Sequence, residues 1–280
     1  MADKRPIGVF DSGIGGLTVL REIWKVLPGE STIYFGDNSR APYGNKARST
    51  IIRYSLQNME FLKSKDVKMI VIACNTASAY AYEALKDKAG VPVVEVVTPG
   101  AEAAIKSTKN GKIGIIGTKA TISTGVYKKA VEQSALKHGI KNIEIFQKTC
   151  PLFVSLAEEG WWDNEVTRLT AKEYLTPLKE AGIDTLVMAC THYPLLAKVI
   201  GETMGEGITL VNTGEAAALE AKTMLEENGI AADSGTAPSK EFYTSDDTSM
   251  FESIATPFLG EGLPSGTKKF ITDVYKVENS

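Results

Sequence analysis

The stretch M-I-V-I-A-C-N-T-A-S, residues 69–78, decides the fold. Met69 to Ala73 form a short apolar run with β-branched residues, which suits a strand buried on both faces of a parallel sheet. Cys74 ends the run. Asn75, Thr76 and Ser78 follow, and Thr76 predicts the N-cap of a helix over residues 76–88. Cys74 is therefore expected at the carboxyl end of a strand, just ahead of a helix N-terminus. Ligands bind there in open α/β sheets, and a helix N-terminus lowers a thiol pKa. A lone Cys after an apolar run is more often a small buried hydrophobe. Here the device recurs: T-L-V-M-A-C-T-H-Y-P, residues 185–194, rebuilds strand, Ala, Cys and hydroxyl residue, with Cys190 standing 116 positions after Cys74.

Working outward, I-G-V-F at 7–10 reads as a buried strand, D-S-G-I-G-G at 11–16 as a tight turn, and the next residues as a helix with Leu17, Leu20, Trp24 and Leu27 on one side. Backbone N–H groups of such a turn can hold a carboxylate or phosphate, although many strand–helix turns need glycine only for geometry. Asp11, at a strand end, suits a base, a hydrogen-bond partner or a helix cap. A strand at 31–36 leads to D-N-S-R-A-P-Y-G, 37–44, which fits a surface loop or a loop over a polar substrate. A helix over 47–64, the Cys74 unit and a strand at 92–97 complete the first half. I-G-I-I-G-T at 113–118 echoes I-G-V-F-D-S, so a second half restarts near Thr98, with Gly117 and Thr118 in place of Asp11 and Ser12. Its expected order is strand 113–116, helix 123–138, strand 142–148, helices across 151–180 and strands at 184–188 and 208–211. After helix 214–228 and a loop at 231–240, E-F-Y-T-S and a helix near 248–256 should pack back on the first half. The expected fold is α/β: two pseudo-symmetric lobes with mainly parallel sheets, residues 1–97 plus 212–280 and residues 98–211, and an active site in the cleft between them.

The chain has 280 residues, 43% hydrophobic and 23% charged, with net charge −3. That length buries a sizeable core without disulfides, and the charge, with no basic run, argues against nucleic-acid binding. Three cysteines, Cys74, Cys150 and Cys190, fit a reducing cytoplasm better than a disulfide framework. No apolar signal-peptide core opens the chain, and no run approaches the roughly 18 apolar residues of a membrane helix. A soluble cytoplasmic protein is expected.

Several chemistries compete for the two thiols. Zinc could take Cys74, Cys190 and His192, but C-x₂-C pairing is absent and His138 is the only other His, so no metal is expected. A thiol hydrolase with Cys190 as nucleophile and His192 as base leaves Cys74 unexplained. Disulfide redox chemistry lacks a C-x-x-C motif. Inversion at an acidic C–H uses both: one thiolate removes the proton from one face and the opposite thiol returns one to the other. A thiol suits this because its pKa of about 8.5 can be tuned towards neutrality. A two-lobed binding protein without chemistry would leave the paired cysteines as coincidence, and no Lys stands out for a pyridoxal imine.

At these residues the chain resembles the glutamate racemases of the aspartate/glutamate racemase superfamily. The likeness rests on F-D-S-G-I-G-G (10–16), Y-F-G-D-N-S-R-A-P-Y-G (34–44), A-C-N-T-A-S (73–78), C-P-L-F-V (150–154), E-E-G-W (158–161), A-C-T-H-Y-P-L-L (189–196) and F-Y-T-S (242–245). It covers essentially the whole chain. The resemblance implies a cofactor-independent isomerase that makes D-glutamate for peptidoglycan, and so serves cell-wall biogenesis and cell shape, commonly as a homodimer. Aspartate or another small acidic amino acid is the alternative substrate. Cys74 and Cys190 take the family's acid–base positions, with Cys74 facing the D-enantiomer and Cys190 the L-enantiomer. Asp11, Glu158 and His192 take its assisting positions, and Asp11, Ser12, Tyr43, Gly44, Asn75, Thr76, Thr191 and His192 its substrate contacts. Asn212 stands where Asp is usual and Ser155 where Pro is common. The chain also lacks the N-terminal extension of members that need a cell-wall-precursor activator, so activity without one is expected. Cys150, before Pro151, is expected to be a packing residue.

Overall fold

The computed structural model describes residues 3–233, 237–260 and 267–269. One sheet contains β1 (Ile7–Asp11), β2 (Thr32–Gly36), β3 (Met69–Ile72), β4 (Val93–Glu95), β9 (Lys240–Thr244) and β10 (Thr267–Lys269) in the order β10-β9-β2-β1-β3-β4. The other contains β5 (Lys112–Gly117), β6 (Glu144–Thr149), β7 (Thr185–Ala189) and β8 (Thr209–Asn212) in the order β6-β5-β7-β8. Every pairing is parallel. The order 2-1-3-4 therefore occurs twice, and β3 and β7, which lead into Cys74 and Cys190, hold the same place in the two sheets.

The helices are α1 (Leu17–Val26), α2 (Arg48–Lys63), α3 (Asn75–Lys86), α4 (Val97–Ser107), α5 (Lys119–Ser123), α6 (Val126–Lys137), α7 (Leu152–Glu158), α8 (Glu165–Glu180), α9 (Ala197–Met204), α10 (Thr213–Glu227) and α11 (Thr248–Leu259). They cover both faces of each sheet, which is why the central strands read as continuous apolar runs. One face of the first sheet packs Val9, Met69 and Val71 against Leu17 and Leu20 of α1, Ala217 and Ala221 of α10 and Phe251 of α11. Its other face packs Phe10, Ile70 and Ile72 with residues of α2 and α3. The second sheet is likewise enclosed, Val187 lying with Ala101 and Ala104 of α4 and Leu186 with Leu175 of α8. The tail returns to the first sheet as expected, β9 pairing with β2.

Three expectations shift. The helix predicted over 123–138 is α6, which begins only at Val126 because Gly125 adopts φ +65°, and a separate short helix, α5, precedes it. The strand predicted at 92–97 stops at Glu95, whose carboxylate accepts the N–H groups of Val97 and, at 2.7 Å, Thr98, so the chain turns early into α4. Thr76 is not the N-cap of α3: Cys74 is, its Sγ accepting the Ala77 N–H at 3.4 Å. The loop at 231–240 lies partly outside the described residues. No described helix is long and apolar enough to cross a membrane.

At the edge of the first sheet away from the strand carboxyl ends, Lys68 is fully enclosed. Its Nζ lies 2.6 Å from Glu30 Oε2 and donates to the carbonyls of Asp3 (2.7 Å) and Ile230 (2.8 Å). This one ammonium ties the N-terminal segment, the start of β3 and the turn after α10. Removing one partner of a buried ion pair strands the other. Lys68→Ala should therefore cost on the order of 3 kcal/mol and lower the melting midpoint by roughly 5–10 °C in a thermal scan, whereas Lys63→Ala on the surface should leave it nearly unchanged.

Candidate active site

The carboxyl ends of the two sheets face one another across a cavity of about 140 Å³. Ser12, Tyr43, Gly44, Cys74, Asn75 and Thr76 line it from the first sheet's side, and Cys190, Thr191 and His192 from the second's. The structure thus brings both thiols to one space. Asp11 lies beneath the lining, and Glu158 reaches it through His192.

Asp11 ends β1 and is fully buried. Its Oδ2 accepts the Gly13 N–H at 3.0 Å, and its Oδ1 has no hydrogen-bond partner. Burial raises its pKa, against the nearby charge of His192 and the backbone N–H groups. Cys74 donates to Ser12 Oγ at 3.6 Å. Burial, then the Asp11 charge, push the Cys74 thiol up to about 12. This reverses the sequence expectation that the helix N-terminus lowers it. The Ala77 N–H does act in that direction, but desolvation is the larger effect.

The second thiol has different company. Cys190 Sγ lies 3.8 Å from His192 Nδ1, and His192 Nε2 lies 3.0 Å from Glu158 Oε1. Burial works against charging the His192 ring, yet its contacts with Cys190 and Glu158 prevail and raise it to about 10. Glu158 sits at the end of α7 with nearly half its side chain in solvent, so Cys190, His192 and Glu158 form a chain from the cavity to water. Phe258 of α11 meets the His192 ring edge-on at 5.9 Å, so the tail helps set the imidazole.

The two sides are keyed together. Thr18 Oγ1 donates to the Thr191 carbonyl at 2.7 Å. Thr76 Oγ1 lies 3.1 Å from Thr118 Oγ1 and 3.3 Å from Thr121 Oγ1. Gly16 is required because a Cβ there would fall 2.4 Å from Asp11 Cβ. Gly15 is required across the interface, since its Cβ would fall 2.3 Å from Thr191 Oγ1 and 2.6 Å from the His192 ring.

Residues 37–44 do not form a plain surface loop. Arg40 pairs with Asp37 at 2.7 Å, both buried, and donates to Gln57 and Asn58 of α2. Tyr43 gives its hydroxyl to Asp37, so its phenol is spent on the protein. Arg40 is a fastener and not a ligand. Cys150 is fully buried, with its thiol raised to about 12 chiefly by burial, in keeping with a packing role. Sequence reasoning did not select Thr118, Lys119, Val154 or Ser155, which also line the cavity. The repeat offered a signal for Thr118, which stands where Ser12 stands. No group of three or more His, Cys, Asp or Glu among the described residues is placed to hold a metal ion.

A cavity between two like α/β sheets, with a thiol at the same strand end on each side, defines a class of isomerase. The sequence pattern of the Asp/Glu/Hydantoin racemase family matches residues 7–221, and this chain belongs to that family. Among its relatives, the glutamate racemase of Geobacter metallireducens is 47% identical over 98% of this chain and 96% of its own. The crystal structure of a glutamate racemase isoform from Bacillus anthracis superposes with a TM-score of 0.88 at 40% identity, over 96% of this chain and 97% of that one. That of the Francisella tularensis glutamate racemase in complex with D-glutamate gives 0.86 at 35% identity, over 98% and 99%.

The keying at Gly15 has a direct test. Gly15→Ala should push the Thr191–His192 segment aside and lower racemase kcat/KM by about 100-fold, because small misplacements at a reacting centre are costly. Circular dichroism should stay close to that of the unmodified protein, while the melting midpoint should fall by a few degrees, since overpacking a closed contact costs about 1–3 kcal/mol.

Proposed function

We propose that this chain is a glutamate racemase that interconverts L- and D-glutamate without a cofactor, by proton transfer between the substrate Cα and two thiols. The observation that carries this reading is that Cys74 and Cys190, at the ends of equivalent strands, line one cavity. In the L-to-D direction the Cys190 thiolate takes the α-proton. The Cα–H bond breaks, the electron pair stays on the substrate carbon, and the Cys74 thiol delivers its proton to the opposite face. Cys190 ends as a thiol and Cys74 as a thiolate, and the D-to-L direction runs this backwards. A Cys74 thiol raised to about 12 by burial is suited to be the proton donor of the resting site. Asp11 assists beside Cys74, and the Glu158–His192 pair beside Cys190. Ser12, Gly44, Asn75, Thr76, Thr191 and His192, with Asp11 beneath, hold the substrate. Tyr43 contributes through its backbone because its phenol is committed to Asp37, and the N-terminus of α3 suits a carboxylate.

Residues 1–97 with 212–280 form one lobe of this enzyme and 98–211 the other, a division supported by α4 packing into the core of the second sheet and α10 into that of the first. The family resemblance supports a cytoplasmic homodimer that supplies D-glutamate to peptidoglycan.

Replacing either thiol by a hydroxyl leaves a far weaker acid and a poor base. Cys74→Ser and Cys190→Ser should each abolish racemisation almost entirely, and the two losses should not add. Elimination from a glutamate analogue with a leaving group on Cβ needs only one α-proton removed. Cys190→Ser should still eliminate from the D-analogue and Cys74→Ser from the L-analogue, read by release of the leaving group. Equal handling of both analogues by both variants contradicts the two-face assignment. Running glutamate beside aspartate, with solvent deuterium incorporation at Cα, tests the substrate.

The pH dependence follows from the same pair. Enantiomers are equally stable in water, so kcat/KM must be identical in both directions at every pH. The profile should be a single bell whose limbs belong to the coupled thiols. Because burial and then Asp11 hold the Cys74 proton to higher pH, removing the Asp11 charge releases that proton earlier. Asp11→Asn should therefore move the alkaline limb to lower pH while reducing the maximum. Initial-rate profiles in both directions check this.

A further inference from the structure

Tyr127, in α6, is buried, and its hydroxyl crosses to the first half of the site. It donates to Asn75 Oδ1 and lies 3.4 Å from the carbonyl of Val96, where β4 passes into α4. Asn75 opens α3, lines the cavity and is 2% exposed, and its Nδ2 has no hydrogen-bond partner. A side-chain amide has one accepting and one donating end, exchanged by a flip about the last bond. With Oδ1 committed to Tyr127, the donating end is left for whatever enters the cavity. The flipped amide would set a carbonyl oxygen against an anionic substrate, exchanging a charge-assisted hydrogen bond for a repulsion.

We propose that Tyr127 is a positioning residue for substrate binding: it fixes the Asn75 amide from the opposite side of the cleft so that Nδ2 donates to a carboxylate of the substrate. This rests on the reading of Asn75 as a substrate contact. Neither the sequence motifs nor the cavity lining selects Tyr127, because it acts one side chain behind the surface.

The test is a double-mutant cycle on the amino acid that the unmodified enzyme turns over, glutamate and aspartate being assayed first. A failure of the glutamate reading therefore shows before the cycle begins. Tyr127→Phe keeps the ring and loses the hydroxyl. It should raise KM by about five- to tenfold and change kcat by less than about twofold, the scale of one hydrogen bond. In an Asn75→Ala background the same change should move KM by less than about twofold, because no amide remains to orient. A merely structural tyrosine would alter KM and kcat alike in both backgrounds. Asn75→Asp keeps an acceptor for Tyr127 but has no donor, and should raise KM at least as far as Asn75→Ala. Equal KM increases in the two backgrounds, an unchanged KM in folded Tyr127→Phe, or a near-normal KM for Asn75→Asp would overturn the proposal.

Discussion

The contact on which the molecule depends is the seat of Gly15 against Thr191 and His192. There the turn after β1 comes close enough to the turn after β7 that no side chain fits between them. On the other flank, the hydroxyls of Thr76, Thr118 and Thr121 close the same gap. Each sheet alone presents its strand ends to solvent, as open parallel sheets do. Only when the two edges are held face to face does a thiol on each side look into a common enclosed space.

Enclosure then makes the two halves unequal. The backbone repeats, but the charged neighbours do not: Asp11 serves one thiol, and a buried imidazole tied to a solvent-touching carboxylate serves the other. Desolvation raises Cys74 and Asp11, while hydrogen bonds overcome it at His192. The same low polarity of surroundings thus gives opposite outcomes, depending on whether a partner is present to hold the charge. The substrate meets a cavity whose geometry is nearly two-fold and whose electrostatics are not.

What could be read from the chain alone follows from where the physics is local. Strands buried on both faces write themselves as apolar runs, and Met69–Ala73 and Thr185–Ala189 were legible for that reason. The duplicated cysteine, with Asp11 and His192 near strand ends, marked the site. The capping role of Cys74 was hidden because hydroxyl and amide side chains dominate helix starts, and Thr76 looked the better candidate. The inward turn of Arg40 and Tyr43 was hidden because it depends on Gln57 and Asn58 of α2 and on Ser245, which lies 208 positions after Asp37. Phe258 against His192 and Tyr127 against Asn75 are likewise meetings of distant segments, with no periodicity to announce them.

The order of strands carries a consequence for how the chain is made. The four strands of the second sheet run consecutively from 112 to 212, so that sheet can be completed as soon as those residues have left the ribosome. The first sheet cannot. Its strand β2 waits with one edge unpaired until Lys240–Thr244 arrives, and Phe258 reaches the imidazole later still. A nascent chain therefore carries that open edge until β9 emerges, and from His192 onward it carries an unsupported imidazole until the last described helix follows.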